Sequence, residues 1–239
     1  MLVLAIDVSR SMSPAELALQ RQGYAEAIRH PDVVRAIRQG AYRKIAVTMF
    51  EWAADYNIKE VFGWTLVESQ ADADRLSDQI LAFPTFGQSR TSISGAIRHA
   101  TALIEAAPHD GYRRVIDISG DGPNNQGEPV LEARQAALAL DLVINGLPLM
   151  TRDGPGAGFS IAELDSYYAD CVIGGSGSFL VPVDSWEQFP EAIRRKLVLE
   201  IGGLAPDHLS VVPVQAEEPA DCLIGEKIWR DRMWNNDFR

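Results

Sequence analysis

The chain is poor in the side chains from which most metal and redox sites are built: 239 residues contain two cysteines and four histidines. Cys171 and Cys222 lie far apart and form no C-x-x-C pair, which excludes a zinc ribbon or a dithiol redox motif. Two buried thiols acting as small hydrophobes and a single disulfide both suit that spacing. His30, His99, His109 and His208 share no ligand spacing and read as helix-end or surface residues. No run of about 18 or more apolar residues occurs, so a membrane-spanning helix is excluded on length. Basic runs are missing too. The longest is Arg194-Arg195-Lys196, near the end of an expected helix, where cations meet the helix dipole favourably. With a formal net charge of -11 and no basic patch to neutralise phosphates, the chain is not a nucleic-acid binder. Neither G-x-G-x-x-G nor G-x-x-x-x-G-K-[ST] is present, which removes the usual nucleotide cradles.

What is present is a 46% hydrophobic content, enough for one sizeable core, arranged as strand-length apolar runs alternating with segments of helical period. This predicts an α/β fold, a doubly wound, Rossmann-like and mostly parallel six-stranded sheet with helices on both faces. Strands are expected at Leu2 to Ile6, Ile45 to Phe50, Val61 to Val67, Arg114 to Ser119, Leu142 to Leu149 and Phe179 to Val183. The second and third are joined by a loop too short for a crossover helix, so that pair is antiparallel and puts one antiparallel strand at the edge. Ser13-Pro14-Ala15-Glu16 is a capping box with Pro at the first helical position, and His30-Pro31 ends or kinks the helix it starts. Further helices are expected over 72–81, from Ile93 to Ile104, over 129–140, from a second capping box at Ser160 to Glu163 towards Tyr168, and around Phe189 to Leu197. Gly154 to Gly158 reads as a flexible loop, and Gly202-Gly203 as a helix stop. The main domain is placed at 1–203. Residues 204–239 form a tail, rich in Pro, Glu and Ala from Pro206 to Asp221 and then carrying Trp229 and Trp234, that is expected to pack on the domain or on a partner.

Directly after the first strand stands Asp7-Val8-Ser9-Arg10-Ser11, a carboxylate and two hydroxyls at the mouth of a buried strand. Thr91 precedes a later helix, with Ser92 beside it, and Asp121 follows the fourth strand. In an open parallel sheet these three loops converge outside the carboxyl ends of the strands, where strand order reverses. Oxygen donors of this kind suit Mg²⁺, with Mn²⁺ or Ca²⁺ as alternatives, and they leave part of the coordination shell open. The same hydroxyls also suit ordinary helix-cap chemistry.

D-x-S-x-S, then Thr91-Ser92-Ile93-Ser94-Gly95-Ala96, then Gly120-Asp121-Gly122, in that order, resembles a von Willebrand factor A domain and its metal-ion-dependent adhesion site over roughly residues 2–201. The resemblance implies that Ser9 and Ser11 bind the metal directly, Thr91 directly or through water, and Asp7 and Asp121 mainly through waters or by supporting the residues that touch the ion. It also implies a protein partner that presents a carboxylate to the vacant position. The hydroxyl-Asp-Gly triplet usual in the family is replaced here by Ser119-Gly120-Asp121-Gly122, and the additional glycine makes Asp117 a competing candidate. Asp121 is preferred, because Asp117 falls inside the strand. Ile6 to Ser11, Phe50-Glu51-Trp52, Arg90 to Ile97 and Val115 to Gly122 are similar, more narrowly, to a bacterial group of stand-alone A-domain proteins of unknown function whose members often carry export signals. That likeness implies a periplasmic or secreted location, with cytoplasmic as the alternative, and a Cys171 to Cys222 disulfide stapling the tail. The start of the chain reads as one whose leader has been removed.

Two rival functions stand beside a non-enzymatic binding module. Metal-assisted phosphoester hydrolysis would use Asp7 or a metal-activated water, but Ser9 stands where a second acidic residue is expected and no histidine has a place as base. A metal-free scaffold would act through the Trp-bearing tail.

Overall fold

The computed structural model describes residues 1–151, 160–202 and 219–236. The expected Gly154 to Gly158 loop, Gly203, His208 and the Pro-rich part of the tail up to residue 218 lie outside the described residues.

β1 (Leu2–Asp7) is the middle of the sheet, and every one of its side chains is buried. It is followed by α1 (Pro14–Ile28), α2 (Pro31–Gln39), β2 (Ile45–Trp52), β3 (Ile58–Val67), α3 (Gln70–Ala82), α4 (Ile93–Glu105), β4 (Val115–Gly120), α5 (Val130–Leu138) and β5 (Val143–Pro148). After these come α6 (Leu164–Tyr167), widening into a π-turn over Tyr168–Val172, then α7 (Phe189–Gly202) and α8 (Ile224–Asn236). Strand order is β3-β2-β1-β4-β5, parallel except for the antiparallel β2/β3 pair.

Period-two alternation sorts β1 between two cores. Leu2, Leu4 and Ile6 face a cluster built with Leu17, Tyr24 and Ile28 of α1, Val33 and Ile37 of α2, Leu76 of α3 and Phe189 and Leu197 of α7. Val3 and Ala5 face Ile93 and Ile97 of α4, Val130 of α5, and Tyr167, Tyr168 and Cys171. Both faces are covered, which is why the strand is a continuous apolar run rather than a polar-apolar alternation.

Helix starts follow local chemistry where the donors are in place. Ser13 accepts from the Glu16 N–H at 3.3 Å, and Glu16 Oε2 accepts from the Ser13 N–H at 2.7 Å. His30-Pro31 does more than end α1: His30 Nδ1 accepts from the Asp32 N–H at 3.2 Å and so caps a second helix, α2, that the periodicity did not separate. The expected capping box at Ser160 to Glu163 does not form. Such a box needs its glutamate three residues into the helix, whereas Glu163 is itself the N-cap and makes no side-chain cap bond.

The sheet has five strands, not six. Residues 179–183 do run parallel to β5: Gly146 N–H donates to Phe179 C=O at 3.1 Å, Val181 N–H to Gly146 C=O at 3.0 Å, Val183 N–H to Pro148 C=O at 3.0 Å and Met150 N–H to Val183 C=O at 2.8 Å. Only isolated bridges result, at Gly146/Leu180 and Leu149/Val183. In parallel register the missing bond is the one from position 148 to the Val181 carbonyl, and proline has no N–H to give.

Pro148→Ala supplies that donor. The amide introduced at position 148 is expected to exchange slowly with solvent. Net stability should shift by no more than about 1 kcal/mol, since the added bond is offset by the freedom returned to the unfolded chain. A fast-exchanging amide at 148 would show that the proline is not what interrupts the sixth strand.

Candidate metal centre

β1 neighbours β2 on one side and β4 on the other, so strand order turns back between β1 and β4. The chain leaves β1 for α1 on one face and β4 for α5 on the other, which opens a crevice at the carboxyl edge. Three loops close around it.

Asp7 ends β1 and follows Val3 and Ala5 to the face covered by α4, α5 and the π-turn. Its Oδ1 accepts the Ser9 N–H at 2.7 Å, and the Gln20 amide donates to its carbonyl at 2.9 Å. The Ser9 and Ser11 hydroxyls lie 2.7 Å apart. Ser11 donates to Asp121 Oδ1 at 2.7 Å, and the Ser9 hydroxyl is 3.4 Å from the same oxygen. Asp7, Ser9, Ser11 and Asp121 are thus joined within one polar cluster.

Thr91 enters the ring of loops through its backbone. Its N–H donates to Asn125 Oδ1 at 2.9 Å and its carbonyl accepts the Asn125 N–H at 2.8 Å, while Asn124 Oδ1 accepts the Ser94 N–H at 3.0 Å. Gln88 ties the same loop to the first one, accepting from Arg10 N–H at 2.7 Å and donating to Val8 C=O at 2.8 Å. Ser92, the alternative ligand, caps α4 by accepting the Gly95 N–H at 3.2 Å. Arg90 stands in the left-handed region at φ 77°, where a non-glycine residue carries about 1–3 kcal/mol of strain. Its guanidinium carbon lies 3.4 Å from the centroid of the Trp229 ring on α8, a contact worth roughly 0.5–2 kcal/mol.

Asp7 is 0% exposed and Asp121 8%. Burial pushes both carboxyls up, Asp121 to about 6 and Asp7 well above the usual carboxylate range, with the Asp121 charge adding to the rise at Asp7. Among the described residues no Lys, Arg or His forms an ion pair with either. Asp7 Oδ2 is buried without a hydrogen-bond partner, as is the Tyr168 phenol. Both atoms lie at Gly120, where a Cβ would sit 2.9 Å from each. The additional glycine therefore leaves room for a phenol beside the carboxylate and does not carry Asp121 away from Ser9 and Ser11.

Asp117 points elsewhere. It pairs in register with Leu4, so it lies on the other face, in an ion pair with the fully buried Lys196 of α7. Lys196 Nζ is 2.5 Å from Glu200 Oε1, which also accepts from the Asn145 amide at 2.9 Å. Burial and the Glu200 charge raise Asp117 to about 7, with Lys196 opposing them. This is an ion-paired core triad in which Lys196 supplies the cation, although Asp117 Oδ2 and Glu200 Oε2 accept no hydrogen bond.

Among the described residues no group of three or more His, Cys, Asp and Glu is placed to hold a metal. The donor set of the crevice is two carboxylates and hydroxyls, hard oxygens that fit Mg²⁺, Mn²⁺ or Ca²⁺ better than a metal preferring nitrogen and sulfur. An unpaired buried carboxylate costs several kcal/mol, and this pair has no countercharge among the described residues. A cavity of about 1070 Å³, around Met1, Tyr42, Tyr112 and Arg114, opens at the opposite edge of the sheet and holds none of these residues.

Asn124, Asn125, Gln20 and Tyr168 were not singled out from the sequence. The asparagine pair after Pro123 carried a usable signal, two amides in the turn after a central strand. Tyr168 carried none, because only the return of the chain through α6 brings it to Gly120. Cys171 and Cys222 form a disulfide, with their Cα atoms 5.5 Å apart. It closes a loop that constrains the unfolded chain by about 4 kcal/mol in the chain-entropy model. No helix among the described residues is long and apolar enough to cross a membrane.

The chain belongs to the family described as Protein of unknown function (DUF1194), whose model matches residues 1–205. A search of curated proteins finds no match. Among solved structures, the pilus adhesin SpaC from Lactobacillus rhamnosus GG is similar over 84% of this chain and 30% of its own, at 13% identity and TM-score 0.62. Proximal thread matrix protein 1 from the mussel byssus, in a structure titled as having a zinc occupied MIDAS motif, is similar over 84% of this chain and 47% of its own, at 13% identity and TM-score 0.61. A von Willebrand factor type A protein from Catenulispora acidiphila is similar over 84% and 42%, at 12% identity and TM-score 0.58. The chain spans less than half the length of each of these. At such identities the likeness shows the fold, which is that of a von Willebrand factor A-like domain.

Two outcomes test this electrostatic description. Asp121 is raised in the folded state, from 3.8 to about 6, so the stability it contributes is full below about pH 4 and lost as pH rises through 6. In chelator, Asp121→Asn should therefore melt with a shallower fall between pH 4 and 7 than the parent, and equal slopes would contradict the description. Lys196→Met leaves Asp117 and Glu200 buried without their cation, and urea titration should show a loss of about 3–5 kcal/mol.

Proposed function

We propose that this DUF1194 protein is a non-enzymatic, divalent-cation-dependent binding module, in which Asp7, Ser9, Ser11, Thr91 and Asp121 hold the ion and a carboxylate of a protein partner takes the position left in its shell. The observation that carries the reading is the pair of buried carboxylates, one with an orphaned oxygen, set beside two hydroxyls and without a countercharge among the described residues. When bound, the cation supplies a Lewis-acidic position open to an anionic oxygen. Ser9 and Ser11 orient Asp121 towards it, Gln20 steadies the end of β1, and the asparagine pair holds the Thr91 loop against the Asp121 loop. The adhesin and zinc-occupied MIDAS structures among the fold neighbours support an adhesion-type role. The oxygen donor set favours Mg²⁺ or Mn²⁺ for this chain. Because its net charge is -11, an acidic partner is repelled at long range, so capture of a carboxylate depends on the local charge of the ion. The Cys171 to Cys222 disulfide supports an oxidising location, periplasmic or secreted.

Thermal melting with added Mg²⁺ or Mn²⁺ tests the proposal. At a hundredfold excess over Kd, binding contributes about 2.7 kcal/mol, or roughly 5–10 °C for a chain of this size. Asp7→Ala and Thr91→Ala should each abolish that shift while leaving far-UV circular dichroism unchanged. Parent-like shifts in both variants would refute the ligand set, and metal-dependent hydrolysis of p-nitrophenyl phosphate lost in Asp7→Ala would favour the hydrolase reading.

A further inference from the structure

The tail helix α8 reaches the two loops that carry Thr91 and Asp121. The Cys171 to Cys222 disulfide anchors its approach, and Asp170 Oδ2 accepts the Ala220 N–H at 2.8 Å alongside it. Two residues into α8, Gly225 lies so close to the turn after β4 that a Cβ there would fall 2.0 Å from the Asn124 carbonyl oxygen. Glu226 Oε1 accepts from the Asn124 amide at 2.7 Å. One turn further on, Trp229 lies under the Arg90 guanidinium. Arg90 is the strained residue immediately before Thr91, and Asn124 is the residue whose other side-chain atom receives the Ser94 N–H.

We infer that α8 is a clamp on the metal centre: by gripping Asn124 through Gly225 and Glu226, and Arg90 through Trp229, it holds the Thr91 and Asp121 loops at the spacing that cation binding requires. Gly225, Glu226 and Trp229 are then positioning residues, since they act on the site through Asn124 and Arg90. The strained backbone at Arg90 is the sign of the load, because a left-handed non-glycine residue persists only where its surroundings hold it. Glycine at 225 has the same logic. Alanine is the better helix former, but the Asn124 carbonyl and the Pro123 ring leave no room for a Cβ at this position.

The inference rests on the metal-centre reading, and its test separates the two. In the metal-free full chain, hydrogen exchange is measured at the Thr91, Ser94 and Asn125 amides, and Mn²⁺ affinity is measured by calorimetry. Gly225→Ala, which favours the helix while pushing it off Asn124, and the double variant Glu226→Ala/Trp229→Ala should speed exchange at those three amides tenfold or more. Amides of β1 and β4 should keep the parent's rates. Mn²⁺ affinity should fall about fivefold to tenfold. Parent-like exchange in both variants overturns the clamp whether or not the parent binds Mn²⁺. Fast exchange with parent-like Mn²⁺ affinity overturns it as well, since the loops it orders would then not matter to the ion. A parent that binds no Mn²⁺ sinks the metal centre, and with it the role assigned to the clamp, even where the exchange rates respond.

Discussion

Two carboxylates buried together, with no cationic side chain paired to them among the described residues, are the constraint around which the rest of this molecule is arranged. Asp7 is placed by the last pleat of a strand covered on both faces, and Asp121 by the first turn beyond its neighbour. Neither location is negotiable, because the strands that deliver them form the middle of the sheet. Hydroxyl donors at Ser9 and Ser11, and the N–H of Ser9, offset part of the cost of burial. They do not supply opposite charge, and Asp7 Oδ2 is left with no partner.

The other buried charges of the core show the contrast. Asp117 stands on the same strand as the approach to Asp121, four residues earlier, and it also lacks solvent. There the fold answers with Lys196, Glu200 and Asn145, a group in which the carboxylates share one ammonium. Inside β4 the countercharge is built into the protein, and just beyond the strand's end none is found among the described residues.

Around the crevice the ordering falls mostly to the backbone. Gln88 joins the first loop to the second, the two asparagines join the second to the third, and Ser11 closes the ring. The disulfide-anchored tail then meets this ring at Asn124 and Arg90. A segment that contributes nothing to the sheet thus lies against the loops that carry Thr91 and Asp121. Its outer end keeps Trp234 64% exposed, so the contact with the domain belongs to the first turns of α8 and not to its whole length.

The sequence alone determined a great deal here, because its strongest signals are local. Apolar runs long enough for strands, an S-P-x-E helix start, a connection too short for a crossover and the D-x-S-x-S run gave the α/β class, the antiparallel edge and the convergence of three loops. What it missed depends on partners distant in the chain. A sixth run of strand character pairs only in fragments, because Pro148 lies across from it with no N–H. An S-x-x-E run fails as a cap because the helix begins three residues too late. Asp117 lies inside β4 and meets Lys196, some eighty residues further along the chain, whereas Asp121 lies beyond the strand's end beside Ser11. Tyr168, Asn124 and the tail's grip on Arg90 were likewise decided in three dimensions, since hydrogen bonds and ion pairs between distant segments exist only once the sheet has set their spacing.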